Sequence, residues 1–275
     1  MFKDQLVWIT GASSGIGEAL ALEFAAEGAK LILSARREDA LQEVKDKCVA
    51  AGLGSEAILV LPMDVTDEAS LPDKVASAKA FTGRIDMLIN NAGVSQRSSM
   101  LETEMATYRT LFEVDVFGQI ALTKQVVPIM IEQGSGHIAV TASVAGKIGA
   151  PFRTGYCAAK HAMMGFFDSL RTEVTHHNIK VTTITPGYIH TNISANALSG
   201  DGTAFGRTDR SIGGGMEVDE CAKVIMRGFH KGKPEIPVGK GMEMHALWLK
   251  RLFPKLVFKI VADQYHKVGK ADNIK

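Results

Sequence analysis

The sequence predicts an α/β fold, a single doubly wound parallel sheet with helices on both faces. Two observations carry this. Short apolar runs alternate with longer segments of helical periodicity along nearly the whole chain. The residues with chemical character also fall just after the apolar runs, at what would be the carboxyl ends of parallel strands.

The elements follow in order. Strands are expected near residues 6–10, 30–35, 57–61, 86–90, 136–142, 180–185 and 235–238. Helices are expected near 15–27, 38–51, 67–81, 103–133, 156–177, 217–231 and 243–264. The runs are short, apolar and rich in Val, Ile and Leu, as strands buried on both faces are. The 275 residues fit one such domain.

The first strand (LVWIT) runs directly into Gly11-Ala12-Ser13-Ser14-Gly15-Ile16-Gly17, and a helix pattern with Leu20 and Phe24 follows until Gly28. Strand, glycine turn and helix form the context in which a backbone approaches a pyrophosphate and a helix N-terminus offers it free N–H groups. The arrangement reads as a Rossmann dinucleotide-binding unit, the competing reading being a tight strand–helix turn without a ligand. The second strand ends at Ala35, where an NAD site would place an acid, and Arg36 and Arg37 follow. Guanidinium groups suit a 2′-phosphate. The sequence therefore favours NADP(H) over NAD(H), with Arg36 as the phosphate partner and Arg37 either beside it or facing solvent.

Tyr156 and Lys160 stand four residues apart in a helical stretch, with Ser143 thirteen residues before the tyrosine. Positions i and i+4 share a helix face. An ammonium beside a phenol favours the phenolate. That helps a group ionising near ~10 to exchange protons with an alcohol at neutral pH. Ser143 would steady the oxygen that gains or loses the proton. Taken alone, a tyrosine and lysine at this spacing are more often plain surface neighbours, and the glycine turn is what gives the pair weight.

With the glycine turn, Asn90-Asn91-Ala92-Gly93, Ser143 and Tyr156…Lys160 in this order, the chain resembles the classical short-chain dehydrogenase/reductase family from about Leu6 to Thr191. It looks closest to the subgroup of dehydrogenase/reductase member 7 and 11β-hydroxysteroid dehydrogenase type 1. The resemblance implies an oxidoreductase that interconverts a carbonyl and a secondary alcohol by hydride transfer. Gly11, Ser13, Ser14, Gly15, Ile16 and Gly17 would cradle the cofactor phosphates, and Asp64 and Val65 would border the adenine. Asn91, Ala92 and Gly93 would pass beside the ribose and brace the central strand. Tyr156 would be the acid/base, Ser143 the partner of the substrate oxygen, and Lys160 the group that binds the nicotinamide ribose and tunes the tyrosine. Pro186, Gly187, Ile189 and Thr191 match the segment that contacts the nicotinamide. A homodimer or homotetramer is implied too, built on the helices near 103–133 and 156–177.

One position departs from the pattern. Asp115 stands where the family usually has an asparagine whose backbone carbonyl holds a relay water. Either only the carbonyl matters and the change is silent, or the carboxylate approaches Lys160, offsets its effect on Tyr156 and moves the working pH upward.

Net charge is +1, so no global field points to nucleic acid. Cys48, Cys157 and Cys221 are scattered and odd in number, which suits a reducing compartment such as the cytoplasm. No Cys/His cluster has zinc spacing, so no metal is expected. The first strand is expected from residue 6, so neither a signal peptide nor a membrane span is expected ahead of it.

Residues 194–215 are glycine-rich and follow the nicotinamide segment, so they read as a substrate lid or an ordinary surface loop. Residues 243–264 combine apolar positions at helical spacing with Lys250, Arg251, Lys255 and Lys259. Such a segment packs on the substrate pocket, meets a second subunit, or lies peripherally on a membrane surface. Its apolar character suggests a hydrophobic small-molecule substrate such as a steroid, a retinoid or an aliphatic carbonyl. The competing reading is a regulatory module that binds NADP(H) on the same fold without catalysis.

Overall fold

The computed structural model describes residues 1–207 and 213–271. Seven strands form one parallel sheet in the order β3-β2-β1-β4-β5-β6-β7. They are β1 Leu6–Thr10, β2 Lys30–Ser34, β3 Ile58–Val60, β4 Met87–Asn90, β5 Gly136–Thr141, β6 Ile179–Pro186 and β7 Glu235–Val238. The order reverses beside β1, between β2 and β4, so the crevice above the carboxyl ends of those strands is the switch point.

The helices are α1 Gly15–Ala26, α2 Glu38–Ala50, α3 Leu71–Thr82, α4 Met105–Phe112, α5 Gly118–Glu132, α6 Thr154–Val174, α7 Val218–His230, α8 Met242–Leu252 and α9 Pro254–Ala271. Alternation along β1 divides the core. Val7 and Ile9 pack with Leu20, Phe24 and Phe229 under α1 and α7, while Leu6 and Trp8 pack with Leu122, Val126 and Phe167 under α5 and α6. Trp8 is fully buried, and its indole Nε1 donates to Ser34 Oγ at 2.9 Å, so its one polar atom is satisfied.

The structure revises four expectations. The helix expected from residue 67 starts at Leu71, with Pro72 in its first turn, and the stretch before it is a chain of turns closed by Asp64 and Asp67. The helix expected from 156 begins earlier, at Thr154. The helix expected over 103–133 is interrupted by one π-helical turn, Glu113–Phe117, between α4 and α5. The helix expected over 243–264 is two, divided at Phe253 by Pro254, which opens α9.

Met105–Glu132 is long and apolar enough to cross a membrane by length and composition alone. Here Leu111, Val116, Leu122, Val126 and Met130 lie in the core. The described part of 194–215 is held by backbone hydrogen bonds to the loop after β4. Leu198 N donates to Ser95 O at 2.8 Å, Arg97 N to Leu198 O at 2.9 Å, and Glu104 N to Gly200 O at 2.9 Å. Residues 208–212 of the expected lid lie outside the described residues.

Candidate active site

One cavity of about 1350 Å³ runs along the carboxyl edge of the sheet. Gly11, Ser13, Ser14, Gly15 and Ile16 line one end with Arg36, Arg37, Asp64 and Val65, and Asn91, Ala92 and Gly93 follow. Ser143, Tyr156, Lys160, Pro186, Gly187, Ile189 and Thr191 line the rest. Of the expected site residues, Gly17 lies just behind the wall and Asp115 behind Lys160. The sites named from the sequence are thus brought together.

The glycine turn is shaped by close approach. Gly11 has φ +63°, a left-handed conformation that a side chain disfavours. A Cβ on Gly17 would stand 2.3 Å from Gly11 O and 2.6 Å from Asn91 Nδ2. Asn91 Nδ2 itself donates to Thr10 O at 3.1 Å and Gly11 O at 3.3 Å, which ties the end of β4 to the turn. The result is a side-chain-free cradle above the N-terminus of α1, and it fits a dinucleotide pyrophosphate. Arg36 and Arg37 are both exposed at the cavity's rim, and neither side chain has a hydrogen bond or ion pair among the described residues. Asp64 Oδ1 is engaged locally, accepting from Thr66 N and Thr66 Oγ1 at 2.9 and 2.8 Å.

Ser143 ends the extended run after β5. Its Oγ accepts from Ala145 N at 3.0 Å and faces Pro186 O at 3.4 Å. Tyr156 lies in the first turn of α6 and is 8% exposed. Lys160 Nζ stands 5.6 Å from the centre of the Tyr156 ring and donates to Thr141 O at 3.2 Å.

Behind the lysine lies Asp115, fully buried on the π-helical turn. Its Oδ1 accepts from Val94 N at 2.8 Å. Its Oδ2 has no hydrogen bond and lies 3.7 Å from Lys160 Nζ. Burial pushes this carboxyl above the usual carboxylate range, while the Lys160 charge and the Val94 N–H pull it back. Gly93 makes the approach possible, because a Cβ there would stand 2.9 Å from Asp115 Oδ1 and 3.3 Å from Lys160 Nζ. The carboxylate does reach the lysine, as one of the two sequence readings required.

Gln96 escaped the sequence reading. It is fully buried, and its Oε1 accepts from Gly155 N at 2.7 Å and Tyr156 N at 3.3 Å. Its Nε2 donates to Ser98 Oγ at 3.2 Å and Thr103 Oγ1 at 2.9 Å. A side chain from another segment thus caps α6 at the turn that carries Tyr156. The available signal was the polar run Ser95-Gln96-Arg97-Ser98 directly after Gly93-Val94, where an apolar pocket wall would be expected.

A phenol, a hydroxyl and an ammonium converging beside a dinucleotide cradle define a nicotinamide-dependent oxidoreductase. A family model described as short chain dehydrogenase matches residues 5–201. The chain is 40% identical over 276 residues to Dehydrogenase/reductase SDR family protein 7-like of Drosophila melanogaster, covering 98% of this chain and 85% of that protein. A short chain dehydrogenase/reductase from Burkholderia phymatum in complex with NAD superposes with a TM-score of 0.82 at 24% identity, over 93% of this chain and 95% of that one. A metagenomic short-chain oxidoreductase in complex with NADP gives a TM-score of 0.64 at 30% identity, over 67% and 83%. The chain belongs to the short-chain dehydrogenase/reductase family. It is an oxidoreductase that acts on CH–OH groups.

Proposed function

We propose that the protein interconverts a hydrophobic carbonyl compound and its secondary alcohol, with NADP(H) as cofactor. The observation that carries this is the convergence of Ser143, Tyr156 and Lys160 on the cavity that the glycine turn opens into. When bound, the nicotinamide supplies or accepts the hydride. In the reductive direction the Tyr156 hydroxyl gives its proton to the substrate oxygen, and Ser143 Oγ holds that oxygen by a hydrogen bond. Lys160 stabilises the charge left on the phenol, and its contact to Thr141 O fixes its reach. Gln96 keeps Tyr156 in register by capping its helix. Asp115 sets how strongly the lysine acts, since the two charges face each other at 3.7 Å.

NADP(H) is favoured over NAD(H) because the Arg36 and Arg37 side chains, at the cavity rim, have no hydrogen bond or ion pair among the described residues, and no carboxylate stands at Ala35. The hydrophobic substrate is supported by Ile148, Ala246, Leu249, Val257, Ile260 and Val261, which line the cavity beyond Tyr156. A homodimer or homotetramer and peripheral contact of α8 and α9 with a membrane surface belong to the same reading. Light scattering on the purified protein reads the subunit number.

Tyr156→Phe tests the assignment. NADPH binding, followed by fluorescence, should be retained, and reduction of apolar ketones should fall by at least about a hundredfold, the scale of a lost general acid. A variant that turns over near the parental rate ends the reading, and a parent that binds NADPH without oxidising it over a broad ketone panel favours the non-catalytic alternative.

A further inference from the structure

We infer that Glu243 distinguishes the two oxidation states of the cofactor, holding NADP⁺ more tightly than a neutral side chain would and leaving the affinity for NADPH nearly unchanged. The inference deepens the reading above and rests on its nicotinamide site.

The placement comes first. β7 runs into Gly239-Lys240-Gly241, and Glu243 follows in the first turn of α8. There its half-buried side chain folds onto the segment after β6, where Glu243 Oε1 accepts from Tyr188 N at 3.3 Å. Glycines on both segments make room for this contact. A Cβ on Gly187 would stand 2.5 Å from Glu243 Oε1, one on Gly239 would stand 2.7 Å from Met244 Sδ, and one on Gly241 would run into the Glu243 carboxylate. Toward the other end of α8, Lys250 Nζ donates to Lys147 O, just past the short turn that follows Ser143. The helix is therefore pinned near both ends, once to the Tyr188 segment and once to the loop of Ser143, and the carboxylate is held in place.

The charge gives the placement its meaning. Tyr188 lies within Pro186–Thr191, the stretch that would meet the nicotinamide, and Glu243 lines the same cavity as that stretch. Three acids line this cavity, Asp64, Glu113 and Glu243, and among the described residues Glu243 is the one bonded to that stretch. The nicotinamide is also the part of the cofactor whose charge changes. Its ring is cationic in NADP⁺ and neutral in NADPH, while the phosphates are the same in both. A carboxylate near the ring attracts the first form and is almost indifferent to the second. Cations face the same region and oppose this, with Arg153 at 5.7 Å over the Tyr188 ring and Lys160 beside Tyr156. A neutral residue at 243 leaves those cations as they are, so a change in the ratio of the two affinities reports Glu243. The equilibrium between substrate and product is fixed by the reactants, and Glu243 drives the reaction neither way. It sets how strongly accumulated NADP⁺ competes with NADPH, which ties reduction to the ratio of the two.

The test measures Kd for NADP⁺ and for NADPH on the full chain, by calorimetry and by fluorescence. Glu243→Gln keeps an oxygen able to accept from Tyr188 N and loses the charge. Its Kd for NADP⁺ should rise about tenfold, the scale of one charge several ångströms away in partly screened surroundings, while Kd for NADPH changes by less than about twofold. Product inhibition of ketone reduction by NADP⁺ should weaken to the same extent. Glu243→Asp keeps the charge and should stay near the parent ratio, and thermal unfolding checks that both variants are folded. An unchanged ratio in Glu243→Gln overturns the inference. So does an equal loss for both cofactor forms, or a ratio shifted as far by Asp as by Gln, since the side chain would then only brace the segment. The expected shift in a protein that reduces no ketone supports the inference and removes the carbonyl reading instead. The same shift found with NAD⁺ and NADH supports it and removes only the preference for a 2′-phosphate.

Discussion

Replacing Asp115 by asparagine isolates one charge. The side chain keeps its shape, and the amide oxygen can still accept from Val94 N, now 2.8 Å from Oδ1. What changes is the face toward Lys160, where an orphaned carboxylate oxygen stands 3.7 Å from Nζ. Nζ is in turn 5.6 Å from the Tyr156 ring centre, so the carboxylate lies within about 9.3 Å of that ring by the two distances end to end. At an effective dielectric of about 20, a unit charge at that separation is worth about 2 kcal/mol, or about one pH unit. The sign follows from the reaction. Oxidation of an alcohol needs the phenolate as base, and a nearby anion opposes its formation. Removing the anion should shift the acidic limb of the kcat/KM profile for alcohol oxidation about one unit toward lower pH.

The assay is initial-rate alcohol oxidation across the pH range, with NADPH binding as the check that Asp115→Asn is folded. Burial raises the titration of Asp115 itself, so as pH falls the parent carboxylate takes up a proton and its opposition disappears. The two profiles should therefore converge at low pH and separate above the point where Asp115 ionises. Superimposable profiles would refute the reasoning, because Asp115 would then be neutral wherever the enzyme works.

Three further outcomes are expected. Arg36→Ala should raise KM for NADPH about ten- to a hundredfold and leave KM for NADH nearly unchanged, the scale of a lost charge-assisted hydrogen bond; equal effects on both cofactors would mean that Arg36 does not read the phosphate. Gly17→Ala should weaken NADPH binding and cost about 1–3 kcal/mol in stability, because its Cβ would stand 2.3 Å from Gly11 O, and an unchanged Tm would show that the turn relaxes freely. Burial, with Lys180 adding to it, pushes His137 down to about 4 from an ordinary value of 6.5. The unfolded chain therefore takes up that proton first, and stability is complete above about pH 6.5 and declines toward pH 4, by up to about 3 kcal/mol. His137→Gln should flatten that decline in denaturant midpoints measured across the range, and an equal slope would place the acid sensitivity elsewhere.

The sheet was legible because its strands are short, doubly buried and punctuated by glycine. β1 and β7 match the expected ranges, and the other strands differ by a residue at one or both ends. The helix ends were less legible where the deciding contact is tertiary. α6 begins two residues early because Gln96, from a loop nearly sixty residues upstream, accepts from Gly155 N and Tyr156 N. No local pattern around Thr154 announces that cap, and its own neighbour Arg153 supplies none. The π-helical turn was hidden for a related reason. One extra residue in the helical phase leaves an apolar pattern nearly intact, so Glu113–Phe117 reads as ordinary helix. Its consequence is not ordinary, for it brings Asp115 under Lys160. Side-chain spacing thus picked out Ser143, Tyr156 and Lys160, which line one cavity, while the groups that surround and position them lie in contacts between segments far apart in the chain. The same division explains the C-terminus. Its amphipathic pattern showed two apolar faces and a row of cations, but only the packing of Val257 against Val144 and Ile148 decides which face walls the active site and which is left for a partner.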